Sequence, residues 1–113
     1  MPQIDKPALK KALRGILPPV TMPFGEDGKL QSQTIADQMD WTIKAGANGV
    51  VAGGSTGEGH TLATEEFVEA MKATAAGVAG RVPFVAGLIV NSTKEAIDRT
   101  NALQDIKVDA LQV

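Results

Sequence analysis

Apolar positions along the chain follow two rhythms. Short apolar runs near 16–20, 48–52, 82–90 and 108–113 alternate with longer stretches in which apolar residues return every three or four positions. In the first such stretch Ile35, Met39 and Ile43 recur every four residues with Ala36 beside them, which predicts a helix over 32–44. Ser32 or Thr34 is its expected N-cap and Gly46 suits its C-terminal end. Trp41 falls off the stripe and is expected to cover a neighbouring helix or loop. In the second, Phe67, Val68, Met71, Ala75 and Val78 line one face, with Thr64 as expected N-cap, Glu65 and Glu66 in the first turn, and Gly80 as the end. Ala96, Ile97, Thr100 and Leu103 give a third helical face, capped by Ser92 or Thr93.

The short runs read as strands. The run from Gly15 to Phe24 carries Pro18, Pro19 and Pro23, which remove N–H donors and confine it to a sheet edge or an irregular strand. Gly25-Glu26-Asp27-Gly28 after it is a turn. Asn48–Ala52 is the second strand. Val82–Val90 is apolar on both faces, as in a strand buried within a parallel sheet. A fourth strand opens at Val108. Residues 1–14 form a polar, flexible lead-in with a short helical turn expected at Ala8–Leu13, and residues 15–113 form the folded domain.

Strand starts near 16, 48, 83 and 109 are about thirty residues apart, the size of one unit of an eight-fold α/β barrel. Alternating strands and helices predict a parallel α/β sheet. Four strands cannot close a barrel, and the fourth is followed by no helix. The pattern therefore reads as the N-terminal half of a (β/α)8 TIM barrel, cut inside or just after its fourth strand. An open, doubly wound four-stranded sheet is the competing fold.

Composition narrows the function. With 43% hydrophobic and 21% charged residues the chain is expected to be soluble and globular, and a net charge of −2 offers no basic patch for nucleic acid. The absence of cysteine excludes disulfides and thiolate chemistry and allows a cytoplasmic setting, which is the expected location. No apolar run approaches the ~18–20 residues of a membrane span. The lead-in lacks the apolar core of a secretory signal and is a poor match to a mitochondrial presequence.

The richest local chemistry is Gly53-Gly54-Ser55-Thr56-Gly57-Glu58-Gly59, between the second strand and the second long helix. Glycines let backbone approach a ligand, and unpaired N–H groups there suit a small anion. Two adjacent hydroxyls, Ser55 and Thr56, stand in the middle. The loop lacks the lysine of a phosphate-binding P-loop, and Leu62 stands where a dinucleotide fingerprint needs its third glycine. On composition alone, a turn whose hydroxyls satisfy local backbone is the favoured reading.

The segments Pro18-Pro19-Val20-Thr21-Met22-Pro23-Phe24, Asp27-Gly28, Gly46-Ala47-Asn48-Gly49-Val50, Gly54-Ser55-Thr56-Gly57-Glu58 and Arg81-Val82-Pro83-Phe84-Val85-Ala86-Gly87 together resemble the dihydrodipicolinate synthase/N-acetylneuraminate lyase family. The resemblance runs from about residue 15 to the last residue. It implies a TIM barrel, a Schiff-base lyase or aldolase acting on pyruvate or a similar 2-oxo acid, no cofactor, and a homo-oligomer, commonly a tetramer. It implies that Ser55 and Thr56 hold the substrate carboxylate, that the Ser55 hydroxyl also links to a catalytic tyrosine in a proton relay, and that Gly54 and Gly57 allow the tight turn. Glu58 becomes a structural carboxylate. Two departures stand out. Met22 occupies a position where many members carry threonine, so any role of that hydroxyl is lost or passes to Thr21. The family's tyrosine and Schiff-base lysine fall beyond Val113, and the chain has no tyrosine.

The remaining candidates are weaker. His60, the only histidine, is a conceivable general base but reads first as a polar surface residue. Glu58 and His60 fall short of a zinc ligand set. Lys6, Lys10, Lys11, Lys29, Lys44, Lys72, Lys94 and Lys107 all read as turn or solvated-face residues, whereas a Schiff-base amine needs activation, often by burial. Asn91 either lines the site or starts the third helix. Two other functions stay open: a catalytically inactive half barrel, and a small anion-binding module.

Overall fold

The computed structural model describes residues 4–113, so the first three residues of the lead-in lie outside the described residues. In chain order the elements are α1 (Lys6–Ala12), α2 (Ser32–Lys44), β1 (Val50–Ala52), a 3-10 turn (Gly59–Thr61), α3 (Thr64–Val78), β2 (Phe84–Gly87), α4 (Thr93–Ala102) and β3 (Ala110–Gln112). β1, β2 and β3 form a parallel sheet in that order, with Val51 opposite Val85 and Ala86 opposite Leu111.

The expected first strand is present as an irregular edge. Pro19 bridges Val51 in parallel; the Val20 N–H donates to the Val51 carbonyl at 2.9 Å and the Val51 N–H to the Pro18 carbonyl at 3.1 Å. Because Pro18 and Pro19 have no N–H, the ladder uses the Pro18 carbonyl and the Val20 N–H, and no regular strand extends there. Including this edge, spatial order follows chain order without reversal. A doubly wound sheet needs a reversal of strand order, so that alternative is excluded. The observed winding is that of a (β/α)8 barrel.

The stripes predicted for α2 and α3 are the buried faces of those helices, whereas on α4 Ile97 of the predicted stripe is 54% exposed. Ile35 and Met39 on α2 and Phe67, Ala70 and Met71 on α3 are fully buried. The two helices meet closely: a Cβ on Gly77 would lie 2.7 Å from both the Cα and the carbonyl oxygen of Ala36. Phe84, Val50, Leu103 and Val108 complete the core beneath them.

Four local expectations are corrected. The N-cap of α2 is Gln31 without a side-chain bond, because the Ser32 hydroxyl, already helical, donates to Glu69 on α3. The N-cap of α3 is Ala63, and its N–H is taken by Glu66 Oε1 at 3.0 Å, so the closing carboxylate replaces the expected Thr64 hydroxyl. Trp41 covers nothing substantial; it is 72% exposed on α2 beside the equally open Ile16 at the edge strand. The helical turn in the lead-in starts earlier than expected, because Asp5 caps it by accepting from the Ala8 N–H at 3.2 Å. As expected, Ser92 caps α4, accepting from the Glu95 N–H at 3.1 Å.

One ion-pair cluster ties α2 to the end of α3. Arg81 donates to the Gly77 carbonyl at 2.6 Å and to Asp40 at 2.8 Å, while Lys44 pairs with the same carboxylate at 2.7 Å. Lys44 first, then Arg81, hold the Asp40 carboxyl below its ordinary value of 3.8. A depressed carboxylate stabilises the fold above its unfolded pKa and loses that contribution as pH falls through the folded value. Asp40→Asn is therefore expected to unfold at slightly lower denaturant concentration at neutral pH. Its deficit relative to wild type should close as pH drops below 3.8. A deficit that persisted unchanged in acid, measured by urea titration, would remove the ion pairs as its cause.

Candidate functional site

β1 delivers the chain directly into the glycine loop. Gly53 turns it with φ +75°, and a Cβ there would meet Met71 Cε and Phe67 Cε2 at 3.1 Å. The loop then closes on itself: the Glu58 N–H donates to the Ser55 carbonyl and the Gly59 N–H to the Gly54 carbonyl, both at 3.1 Å. Close backbone contact demands glycine at two of its positions. A Cβ on Gly57 would stand 2.8 Å from the Val20 carbonyl oxygen, and one on Gly59 only 1.8 Å from that of Gly53. Gly54 differs. The nearest atom to its Cβ position is Gln112 Oε1 at 3.7 Å, ordinary contact, so the protein's own packing does not require glycine there.

Ser55 and Thr56 sit exposed on the crest between buried Gly54 and Gly57. None of the hydrogen bonds among the described residues engages either hydroxyl. The local backbone bond that such residues often make is made instead by Thr61, whose Oγ1 donates to the Glu58 carbonyl at 2.8 Å. The crest stands at the carboxyl end of β1, with Gly87 of β2 and Gln112 of β3 ending alongside it. A Cβ on Gly87 would lie 2.6 Å from the Gly54 nitrogen. Carboxyl ends of parallel strands are where α/β sheets bind ligands. Grooves beside α1, about 410 Å³, and beside Trp41, about 340 Å³, include none of the loop residues.

The other candidates are placed as follows. His60 is exposed in the 3-10 turn. Among the described residues no three His, Asp or Glu side chains gather as a metal site. All eight lysines are exposed. Asn91 lies just before the Ser92 cap of α4, its N–H donating to Glu95 Oε2 at 3.4 Å. Met22 is buried in the core, and the Thr21 Oγ1 accepts from Gln38 Nε2 on α2 at 3.2 Å. Among the described residues no helix is long and apolar enough to cross a membrane.

One residue escaped the sequence reading. Arg99 on α4 is 3% exposed and donates to the Gly59 and Leu62 carbonyls, each at 2.7 Å. Its guanidinium lies 4.7 Å from the centre of the Phe67 ring. A signal existed. Arg99 falls three residues after Ala96 and four before Leu103, on the apolar stripe itself.

The sequence model of the Dihydrodipicolinate synthetase family matches residues 12–113. The chain belongs to that family. It is 38% identical over 105 residues to the 4-hydroxy-tetrahydrodipicolinate synthase of Polynucleobacter asymbioticus, covering 92% of this chain and 34% of the relative. With the enzyme of the same name from Saccharophagus degradans it shares 40% identity over 98 residues, 87% of this chain and 34% of that one. Among solved structures, N-acetylneuraminate lyase from Mycoplasma synoviae superposes with a TM-score of 0.81 at 30% identity, covering 88% of this chain and 35% of the lyase. A prophage protein of the dihydrodipicolinic acid synthase family from E. coli K12, solved in complex with pyruvate, gives 0.81 at 32%, covering 88% and 33%. The chain thus spans about a third of the length of the family members it matches. Its fold is the N-terminal part of the family's TIM barrel.

Proposed function

We propose that this chain contributes the carboxylate-binding loop of a lyase or synthase that forms or cleaves a carbon–carbon bond of pyruvate or a related 2-oxo acid through a lysine Schiff base. The observation that carries the reading is the pair of uncommitted hydroxyls, Ser55 and Thr56, on a rigid glycine ring at the carboxyl ends of the strands. A carboxylate seated on the crest accepts from both hydroxyls, and charge-assisted bonds of this kind are short and strong. Fixing the carboxylate fixes the neighbouring ketone, which is the centre a lysine must attack. The resulting iminium supplies the electron sink for the carbon–carbon step. Ser55 also relays a proton to a tyrosine. On this reading the tyrosine and the Schiff-base lysine stand on later strands of the barrel, outside residues 1–113. The complete enzyme is a homo-oligomer, as the family resemblance implies, and the absence of cysteine from this chain fits a cytoplasmic setting.

The eight exposed lysines favour a companion statement about the isolated chain: it binds the 2-oxo acid without turning it over. Borohydride added with pyruvate should trap a lysine adduct in the complete enzyme and none in the 113-residue chain, read by mass spectrometry. Thr56→Val in the complete enzyme tests the loop directly. Losing one bond to a charged group costs about 1.5–3 kcal/mol, so KM for the 2-oxo acid should rise roughly 10- to 100-fold. Unchanged KM and kcat would take the loop out of the mechanism.

A further inference from the structure

We propose that Arg99 is the positioning residue of the carboxylate loop: it grips the loop from below and holds the ring on which Ser55 and Thr56 stand. The substrate side of this inference rests on the function proposed above; the mechanical side does not.

The charge on Arg99 is costly where it stands. Burying a guanidinium costs free energy that only close partners offset. Arg99 has no tight ion pair. Glu95 Oε1 is 3.6 Å away, and its other oxygen serves the Asn91 N–H. The Nε of Arg99 has no partner among the described residues. What the charge does have is two backbone carbonyls at 2.7 Å, on residues 37 and 40 positions earlier, and the face of Phe67. An apolar side chain of similar volume could fill the space but would leave both carbonyls without a donor. The arginine fork, by contrast, fixes two acceptors in one plane, which a flexible or apolar side chain does not do.

Those acceptors lie at the closure and the exit of the loop. Gly59 closes the ring: its N–H binds Gly54, and its Cα packs against the Gly53 carbonyl. Holding the Gly59 carbonyl from outside fixes the peptide plane that follows the ring closure. Holding the Leu62 carbonyl fixes the exit into α3. The same guanidinium rests on Phe67, whose ring edge supports Gly53 at the entrance of the ring. Entrance, closure and exit are thus referred to one side chain on α4, a helix that carries none of the candidate substrate ligands.

The test uses the complete enzyme with Arg99→Met and Arg99→Lys. Hydrogen exchange without ligand is the first readout. Loss of two bonds from a charged donor should speed exchange of the amides at 55–62 about 10- to 100-fold in Arg99→Met. Exchange in β2 and the middle of α3 should not change. The second readout is steady-state kinetics. KM for pyruvate should rise about 10-fold with kcat within about 3-fold, and Arg99→Lys should recover part of both effects. Loop exchange that is unchanged, or that rises equally throughout the chain, overturns the positioning role. Should the wild-type enzyme ignore 2-oxo acids, the proposed function fails, while the exchange data still decide for or against Arg99.

Discussion

Gly59→Ala is expected to break the loop and abolish 2-oxo acid binding. The added methyl would sit 1.8 Å from the Gly53 carbonyl oxygen, 2.6 Å from its carbon and 3.0 Å from its Cα. All three are backbone atoms, so no rotamer change relieves the overlap. Overpacking of this kind costs ~1–3 kcal/mol and occasionally more, and a backbone clash belongs at the upper end. The cheapest relief is to pull Gly59 away, which breaks its bond to Gly54 and draws its carbonyl off Arg99. Domains are stable by only ~5–15 kcal/mol, so the protein should fold with a lower melting temperature and an open crest. Gly54→Ala is the control. Its methyl finds nothing nearer than 3.7 Å, so its melting temperature should match wild type. Calorimetric titration with pyruvate would measure binding in both. Wild-type affinity in Gly59→Ala would show that the crest does not depend on ring closure.

The contrast between these two glycines illustrates how much the sequence discloses. Spacing alone exposed the loop, because a glycine cluster between an apolar run and a helical stripe has few other meanings. It could not rank the glycines, since their need depends on which backbone passes nearby: Val20 beside Gly57, Gly53 beside Gly59. Helices were legible where a whole stripe was buried, as with Ile35 and Met39 or Phe67 and Met71. Their starts were not, because a cap is decided by which oxygen reaches the free N–H. Ser32 spends its hydroxyl on Glu69, and Glu66 serves Ala63 instead. The proline-rich edge was read correctly because proline changes the hydrogen-bond inventory itself. Arg99 was missed for the opposite reason. An arginine on a helix reads as a solvated residue, and only the carbonyls of Gly59 and Leu62, far away in sequence, explain its burial.

Phe67→Ala is expected to have the largest effect on stability. The ring is completely buried, supports Gly53 at one edge and carries the Arg99 guanidinium on its face. Truncating a buried phenylalanine costs ~3–5 kcal/mol, from lost transfer energy and the cavity left behind. Here the loss extends to the guanidinium, whose contact with a ring face is worth about 0.5–2 kcal/mol. The sum takes a large share of the ~5–15 kcal/mol that holds a domain together, so Phe67→Ala should yield little soluble folded protein. Phe67→Leu separates the two contributions. It refills most of the volume, at a cost of roughly 1.5 kcal/mol, but offers no ring face. Urea unfolding of Phe67→Leu, Arg99→Met and the double variant then forms a cycle. The structure predicts a coupling of about 0.5–2 kcal/mol, because either single change already removes the shared contact. Costs that add to within ~0.3 kcal/mol would mean that ring and guanidinium are neighbours without being partners. The loop would then be steadied by the two carbonyl bonds alone.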